Sequence, residues 1–334
     1  MFSPMMGYAG GCVTYNEYMA TSGVKWKKAI WLFPALLLLA AVGLYRADIP
    51  VAAIEQRYAD SSSRFIRLMG MRVHYKDQGD PQDGFPLVLI HGTSSSLHTW
   101  DSLVLRIGPR KRIIRMDLPA FGLTGASPER LYTTDFYVAF VDSFLQRLGI
   151  QRCILGGNSL GGGIAWNTAL ADTLRIRALI LLDATGYPRK NERGNLGFRL
   201  AAMPGVGSLL SSFTPRALIR KSLEDSYSDP TKVNDALVDR YYELLLREGN
   251  RQATVDLFQG RRQLQPERIR EIRVPTLIIW GEDDRLIDVE NAGLFARDIP
   301  GSESVVLSRS GHIPMEETPE PVAEAILRFL EQLP

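Results

Sequence analysis

An α/β chain with a mostly parallel sheet, covered by helices on both faces and interrupted late by a helical insertion, is what this sequence predicts. Three observations predict it. Short apolar runs alternate with helical patterns along most of the chain. Those runs are apolar throughout rather than at every second residue, as strands buried on both faces are. Between Asp183 and Pro275 the alternation gives way to about ninety residues of helical pattern, too long for a loop.

The elements follow in order. "RFIRLMGMRVHYK" alternates on either side of Met69-Gly70 and reads as a half-exposed hairpin, with His74 as a surface strand histidine opposite Met71, Val73 and Tyr75. "PLVLIHG" (86–92) and "RIIRMDLP" (112–119) are short buried strands that end in turn chemistry. The next segment sets Phe136, Phe140, Val141, Phe144, Leu145 and Leu148 on one helical face, with Gly149 as its stop. Strand "CILG" runs into "GNSLGGG", where Gly157-Asn158-Ser159-Leu160-Gly161 fits a sharp strand-to-helix turn presenting one serine. "ALILLDATG" (178–186), "PTLIIWGEDD" (275–284) and "ESVVLSRSGH" (303–312) are further strands. A last helix turns Val322, Ile326, Phe329 and Leu330 inward. Ligands of open parallel sheets sit beyond the carboxyl ends of the strands, so the insertion is expected to roof a site there.

Composition narrows the function. The 334 residues are 45% hydrophobic and 23% charged, enough to bury a large core. A net charge of +2 without a basic, aromatic-rich block excludes a nucleic-acid partner. Cys12 and Cys153 make no disulfide framework, and Cys153 reads as a small apolar strand residue. No Cys/His cluster or dinucleotide fingerprint calls for a metal or an organic cofactor.

The amino-terminal part divides into a leader (1–28), an apolar segment Ala29–Tyr45 and a linker (46–62). Residues 29–45 are free of charge and near the lower length limit of a membrane span, and Lys25, Lys27 and Lys28 precede them. The expectation is a single-pass anchor with the rest of the chain on the extracytoplasmic side, ahead of a cleaved signal peptide. The catalytic core is expected over 63–184 and 271–334, with the helical cap over 185–270. The arginines Arg189, Arg193, Arg199, Arg216 and Arg220 of that cap are read as a solvated face.

Ser159 needs a neutral histidine in reach and an acid to orient it. Only four histidines are available, and His312 in "SRSGHIPMEE" follows a strand on the same sheet edge as the serine turn. Asp284 follows the preceding strand and is the first choice of acid. Asp283 and Asp183 are its rivals. Asp117 is read as a loop-fixing residue, while His98 and Trp100 are candidates for lining the pocket.

With "HGTSSSLHTW", "DLPAFGLT", "GNSLGGG", "LLDATGYP", "PTLIIWGEDDRLI" and "SGHIPMEETPE" in this order, the chain resembles the α/β-hydrolase fold family from about residue 63 to its end. The resemblance implies Ser159 as nucleophile, His312 as base and Asp284 as acid. Backbone N–H groups of Leu160 and Thr93 would form the oxyanion hole, with His91, Gly92, Gly157 and Gly161 in support. It also implies the serine branch, esterases and carbon–carbon bond hydrolases, over the aspartate-nucleophile epoxide hydrolases and dehalogenases. The first expectation is an esterase working through an acyl-enzyme on a small-molecule ester. Hydrolysis of a carbon–carbon bond in a meta-cleavage product is the alternative, although "HGTSSS" lacks the G-x-G-P-G-like run of those enzymes. A non-catalytic binding protein of the same fold is the reading from another class.

Overall fold

The computed structural model describes residues 45–109, 111–188, 196–203, 205–260 and 265–333. Its centre is an eight-stranded sheet in the order β1-β2-β4-β3-β5-β6-β7-β8. The strands are β1 (Ser63–Leu68), β2 (Met71–Gln78), β3 (Leu87–Ile90), β4 (Ile113–Met116), β5 (Cys153–Asn158), β6 (Ile176–Leu182), β7 (Thr276–Gly281) and β8 (Glu303–Leu307). From β3 and β4 through β8 every pairing is parallel, and β2 joins β4 antiparallel. The β1–β2 hairpin closes through Met69 and Gly70, both at positive φ (47° and 73°), as a tight two-residue turn of this hand requires.

Alternation along the parallel strands explains the layers. Val88 and Ile90, Leu179 and Leu181, and Ile278 and Trp280 point to one face, where they meet α3 (Thr134–Arg147), α4 (Leu160–Ala171) and α10 (Glu290–Asp298). Leu87 and Leu89, Ile180 and Leu182, and Leu277 and Ile279 point to the other, against α2 (Asp101–Ile107), the short α11 (Pro314–Glu317) and α12 (Pro319–Glu331). Both faces are thus apolar because both are covered. Phe136, Phe140 and Phe144 of α3 and Val322, Ile326 and Phe329 of α12 are buried, whereas Leu148 and Leu330 are half-buried. Cys153 is buried in β5, and its apolar surroundings push its thiol up to about 12.

Between β6 and β7 lie α5 (Leu196–Ala202), α6 (Val206–Leu210), α7 (Arg216–Ser226), α8 (Asp235–Leu246) and α9 (Asn250–Gln259). Leu223 and Tyr227 at the end of α7 join the core on the α2/α12 face, which ties the cap to the sheet. Arg199 is exposed, Arg216 and Arg220 are half-buried and ion-paired with the exposed Asp235, and Arg189 and Arg193 lie outside the described residues. The first helix, α1 (Val51–Tyr58), buries Ile54 against Leu123 and Leu244.

Two expectations are corrected here. His74 is not a surface residue: it is fully buried, because the loop carrying Asp117 and Thr124 closes over the strand face that the hairpin pattern left polar. The single-pass membrane anchor and the extracytoplasmic placement built on it are likewise not borne out. Among the described residues no helix is long and apolar enough to cross a membrane. The longest, α3, has 14 residues, against about 20 for a bilayer core, and its exposed face is polar. Of the segment Ala29–Tyr45, all but Tyr45 lies outside the described residues.

Candidate active site

Ser159 stands between β5 and α4 with φ 54° and ψ −116°, a backbone conformation that a side chain rarely tolerates and that lifts Oγ off the sheet. Close packing makes this turn possible. A Cβ on Gly157 would come within 2.3 Å of the Gly161 backbone, and one on Gly161 within 2.1 Å of the Ile90 carbonyl oxygen. The Ser159 N–H donates to Leu182 O at 3.0 Å, while its carbonyl accepts N–H groups of Gly163 and Thr185.

His312 follows β8. Its Nδ1 donates to Asp284 Oδ2 at 2.7 Å, and the other oxygen of Asp284 accepts the N–H groups of Leu286 (2.7 Å) and Ile287 (3.0 Å). The carboxylate is therefore held by the turn after β7, and it in turn orients the ring. Ser159 and His312 line one cavity, although no direct hydrogen bond joins them among the described residues. Catalytic contacts of this kind commonly tighten only when substrate is bound.

The loop after β3 forms the opposite wall. His91 donates from Nδ1 to Gly92 O at 2.7 Å and accepts the Leu118 N–H on Nε2 at 2.9 Å, so both ring nitrogens brace this loop against the one after β4. Burial holds its imidazole below the ordinary range, in keeping with a neutral ring. Gly92 lies against the turn: a Cβ there would sit 2.9 Å from Asn158 Oδ1 and 3.2 Å from Ser159 Cβ. Thr93 lines the cavity, and Leu160 opens α4 directly after Ser159. Among the described residues no hydrogen bond occupies the N–H of either. A carbonyl oxygen placed between them would meet two unused donors.

Asp183, the rival acid, directly follows β6 and is fully buried, with Oδ1 accepting the Gly281 N–H at 2.9 Å. Burial, reinforced by the charge of Asp284, pushes its carboxyl well above the usual range. Ligand atoms of Asp183, Asp284 and His312 lie within 4.8 Å of one another, close enough in principle for a metal ion. The Asp284–His312 bond and the two N–H groups on Asp284 already use those oxygens, which makes this an oriented imidazole rather than an open ligand set. Asp283 turns away and accepts the Ser228 hydroxyl.

Several site residues were missed from the sequence. Asn158 donates from Nδ2 to His312 O at 2.9 Å and so anchors the histidine loop to the serine turn. Glu317 accepts N–H groups of Gly311, Ser228 and Asp229 at 2.7–3.0 Å, joining the same loop to the cap. The His312 N–H donates to Ser226 O at the end of α7. Their adjacency to Ser159 and His312 was the only signal available. His98 and Trp100 do not line the cavity. Both are buried, and His98 instead bonds Ser96 Oγ and Tyr58 O.

The sequence profile described as "Alpha/beta hydrolase family" matches residues 87–325, most of the chain and all of this site. The chain belongs to that family. Across 82% of its length it is 27% identical to an uncharacterized hydrolase, YugF, of Bacillus subtilis (strain 168), covering 99% of that protein. It is 28% identical to a 2-hydroxy-6-oxo-6-(2'-aminophenyl)hexa-2,4-dienoic acid hydrolase of Metapseudomonas resinovorans, over 80% of this chain and 91% of that one. Among solved structures, a serine hydrolase involved in carbazole degradation superposes with a TM-score of 0.69 at 27% identity, covering 80% of this chain and 98% of the other. As an α/β hydrolase, the chain places its serine turn, histidine loop and acid turn at the carboxyl ends of β5, β8 and β7.

Proposed function

We propose that this α/β hydrolase cleaves a carbon–carbon bond next to a ketone in a conjugated dienol-ketone acid, in preference to a carboxylic ester. The observation that carries the choice is the reach of its likeness to the 2-hydroxy-6-oxo-dienoic acid hydrolase: 91% of that protein is covered, so the likeness takes in both core and cap. A 2-hydroxymuconate semialdehyde hydrolase of Pseudomonas putida, 28% identical over 94% of its length, supports the same substrate class.

In this reading His312 accepts the Ser159 proton as Oγ adds to the ketone carbon, and the oxyanion falls between the Thr93 and Leu160 N–H groups. Collapse breaks the carbon–carbon bond. The departing carbon keeps the electron pair, which spreads into the conjugated carbonyl, and it receives the proton from the imidazolium. The dienol must first shift to its keto form, since only then can that electron pair delocalise. Water, deprotonated by His312, then splits the acyl-enzyme, releasing the acid and restoring Ser159.

The ester reading uses the same residues with an alkoxide as leaving group. The Thr93-Ser94-Ser95 loop favours it, because it departs from the run that carbon–carbon hydrolases carry after His-Gly. Parallel assays on the purified protein separate the two. Loss of the coloured dienolate of a 2-hydroxy-6-oxo-dienoate, with kcat/KM at least tenfold above that for 4-nitrophenyl acyl esters, is the expected result. The opposite ranking overturns the proposal in favour of an esterase. A Ser159 left unlabelled by a fluorophosphonate probe overturns both and leaves a binding protein.

A further inference from the structure

Beyond Ser159, His312 and the oxyanion donors, the described residues that line the cavity include one guanidinium, that of Arg251. Arg251 and Thr254 stand one turn apart near the start of α9, and both line the cavity on its cap side. Arg251 is only 5% exposed. Its Nε and Nη2 donate to Asp48 Oδ1 at 2.9 and 2.6 Å, and Nη2 also donates to Arg46 O at 2.7 Å. These bonds fix the plane of the guanidinium from outside. They leave Nη1, and Nη1 is buried with no hydrogen-bond partner among the described residues. The Thr254 hydroxyl, three residues on and on the same helix face, is likewise buried and unpartnered. Orphaned buried donors are uncommon in folded proteins and are costly where nothing meets them. Phe198, Leu218, Val255 and Phe258 line the same cavity, and among the described residues no acceptor meets either group.

We propose that Arg251 Nη1 and Thr254 Oγ1 form a subsite for a substrate carboxylate at the cap end of the cavity, away from the carbonyl that Ser159 attacks. The proposal rests on the hydrolase reading above and adds to it a specificity determinant for acids. Two donors suit the two oxygens of a carboxylate. The charge fits as well: Asp48 already offsets much of the guanidinium charge, which leaves attraction enough for a singly charged carboxylate but poor compensation for a phosphate dianion.

The test measures binding to the full-length Ser159→Ala protein, so that no turnover is needed. Calorimetric titration with hexanoate and with hexanol gives the ratio of their dissociation constants. Hexanoate is expected to bind at least tenfold more tightly. Arg251→Met should shrink that preference about tenfold to a hundredfold, the usual worth of a hydrogen bond to a charged group, and Thr254→Val about threefold to tenfold. Arg251→Lys should keep part of it. If Arg251→Met does not fold by thermal melting, Thr254→Val and Arg251→Lys carry the test. A preference that is missing in the parent protein, or unchanged in the variants because hexanoate sits in the oxyanion hole, overturns the proposal. The two readings fail separately. Lack of dienol-ketone turnover with an Arg251-dependent hexanoate preference removes the carbon–carbon reading and keeps the subsite, whereas turnover with no such preference does the reverse.

Discussion

The described residues hold two Ser-His-Asp arrangements, one that lines a cavity and one that does not. In the first, Asp284 orients His312 and Ser159 faces the same space. In the second, Ser63 Oγ lies 2.8 Å from His74 Nε2 and His74 Nδ1 lies 2.7 Å from Asp117 Oδ2, a more complete hydrogen-bonded chain than the first. Yet Asp117 also accepts the N–H groups of Leu97 (2.7 Å) and Leu123 (2.8 Å), and His74 is fully buried. Neither Ser63 nor His74 lines the cavity that Ser159 and His312 share. Ser63 sits in a regular strand, without the positive φ that exposes Ser159 beside unused N–H donors. Three residue types in hydrogen-bonding order are therefore a poor sign of catalysis on their own. Strain at the serine, free donors beside it and a space for substrate separate a proposed reaction centre from a structural tie.

The largest effect expected from this contrast is on turnover. Ser159→Ala should lower kcat by roughly 10³- to 10⁶-fold, since in the proposed function Ser159, His312 and Asp284 act as one unit. Asp284→Asn should cost somewhat less, roughly 10²- to 10⁴-fold, through a misdirected imidazole. Ser63→Ala should leave kcat within about threefold and lower the unfolding free energy by about 1 kcal/mol, the worth of one buried hydrogen bond. Steady-state kinetics and urea melts on the three variants check this. A Ser63→Ala protein as inactive as Ser159→Ala would break the distinction.

Much of this arrangement could be read along the chain, and the part that could not has a common cause. Apolar runs of four to seven residues announce the buried strands, and the glycines around Ser159 announce the turn because only hydrogen fits against Ile90 and Gly161. His312 could be reached by elimination among four histidines. His74 could not be placed, because its burial comes from a loop more than forty residues away, and a local alternation pattern reports only the strand itself. Arg251 carries no motif at all: its partners Asp48 and Arg46 lie about two hundred residues earlier. Local pattern reaches elements and turns, whereas polar residues buried by distant segments need the fold.

A smaller effect, on stability rather than turnover, belongs to the second arrangement. His98 lies 6.3 Å from His74 ring to ring. Burial pushes its imidazole down to about 4 from an ordinary value of 6.5, against the opposing pull of Asp117 and Asp101. Between those two values the unfolded chain takes up a proton that the folded one refuses. Stability should thus be fully present above pH 6.5 and fall as pH drops toward 4, by at most about 3 kcal/mol from this group. Urea midpoints measured across that window should decline in the parent protein and decline less in His98→Gln. An equal decline in the two would assign the loss elsewhere.

The smallest effect is expected where the two acids of the first arrangement differ. Asp183 and Asp284 have ligand atoms within 4.8 Å of each other, and two carboxylates so close and so buried do not both ionise readily. Asp284 accepts two N–H groups and the His312 ring, whereas Asp183 accepts the Gly281 N–H on Oδ1 and its buried Oδ2 has no hydrogen-bond partner among the described residues. Burial and the Asp284 charge together push the Asp183 carboxyl well above the usual range, which favours its neutral form. Asparagine reproduces that form: its Oδ1 can accept the Gly281 N–H, its Nδ2 takes the place of the acid's hydroxyl, and it tolerates the positive φ of 45° at this position. Asp183→Asn should therefore keep kcat within about threefold of the parent while Asp284→Asn does not. A loss of a hundredfold or more at Asp183 would mean that its ionised carboxylate shares the orienting of His312, and the assignment of a single acid would have to be given up.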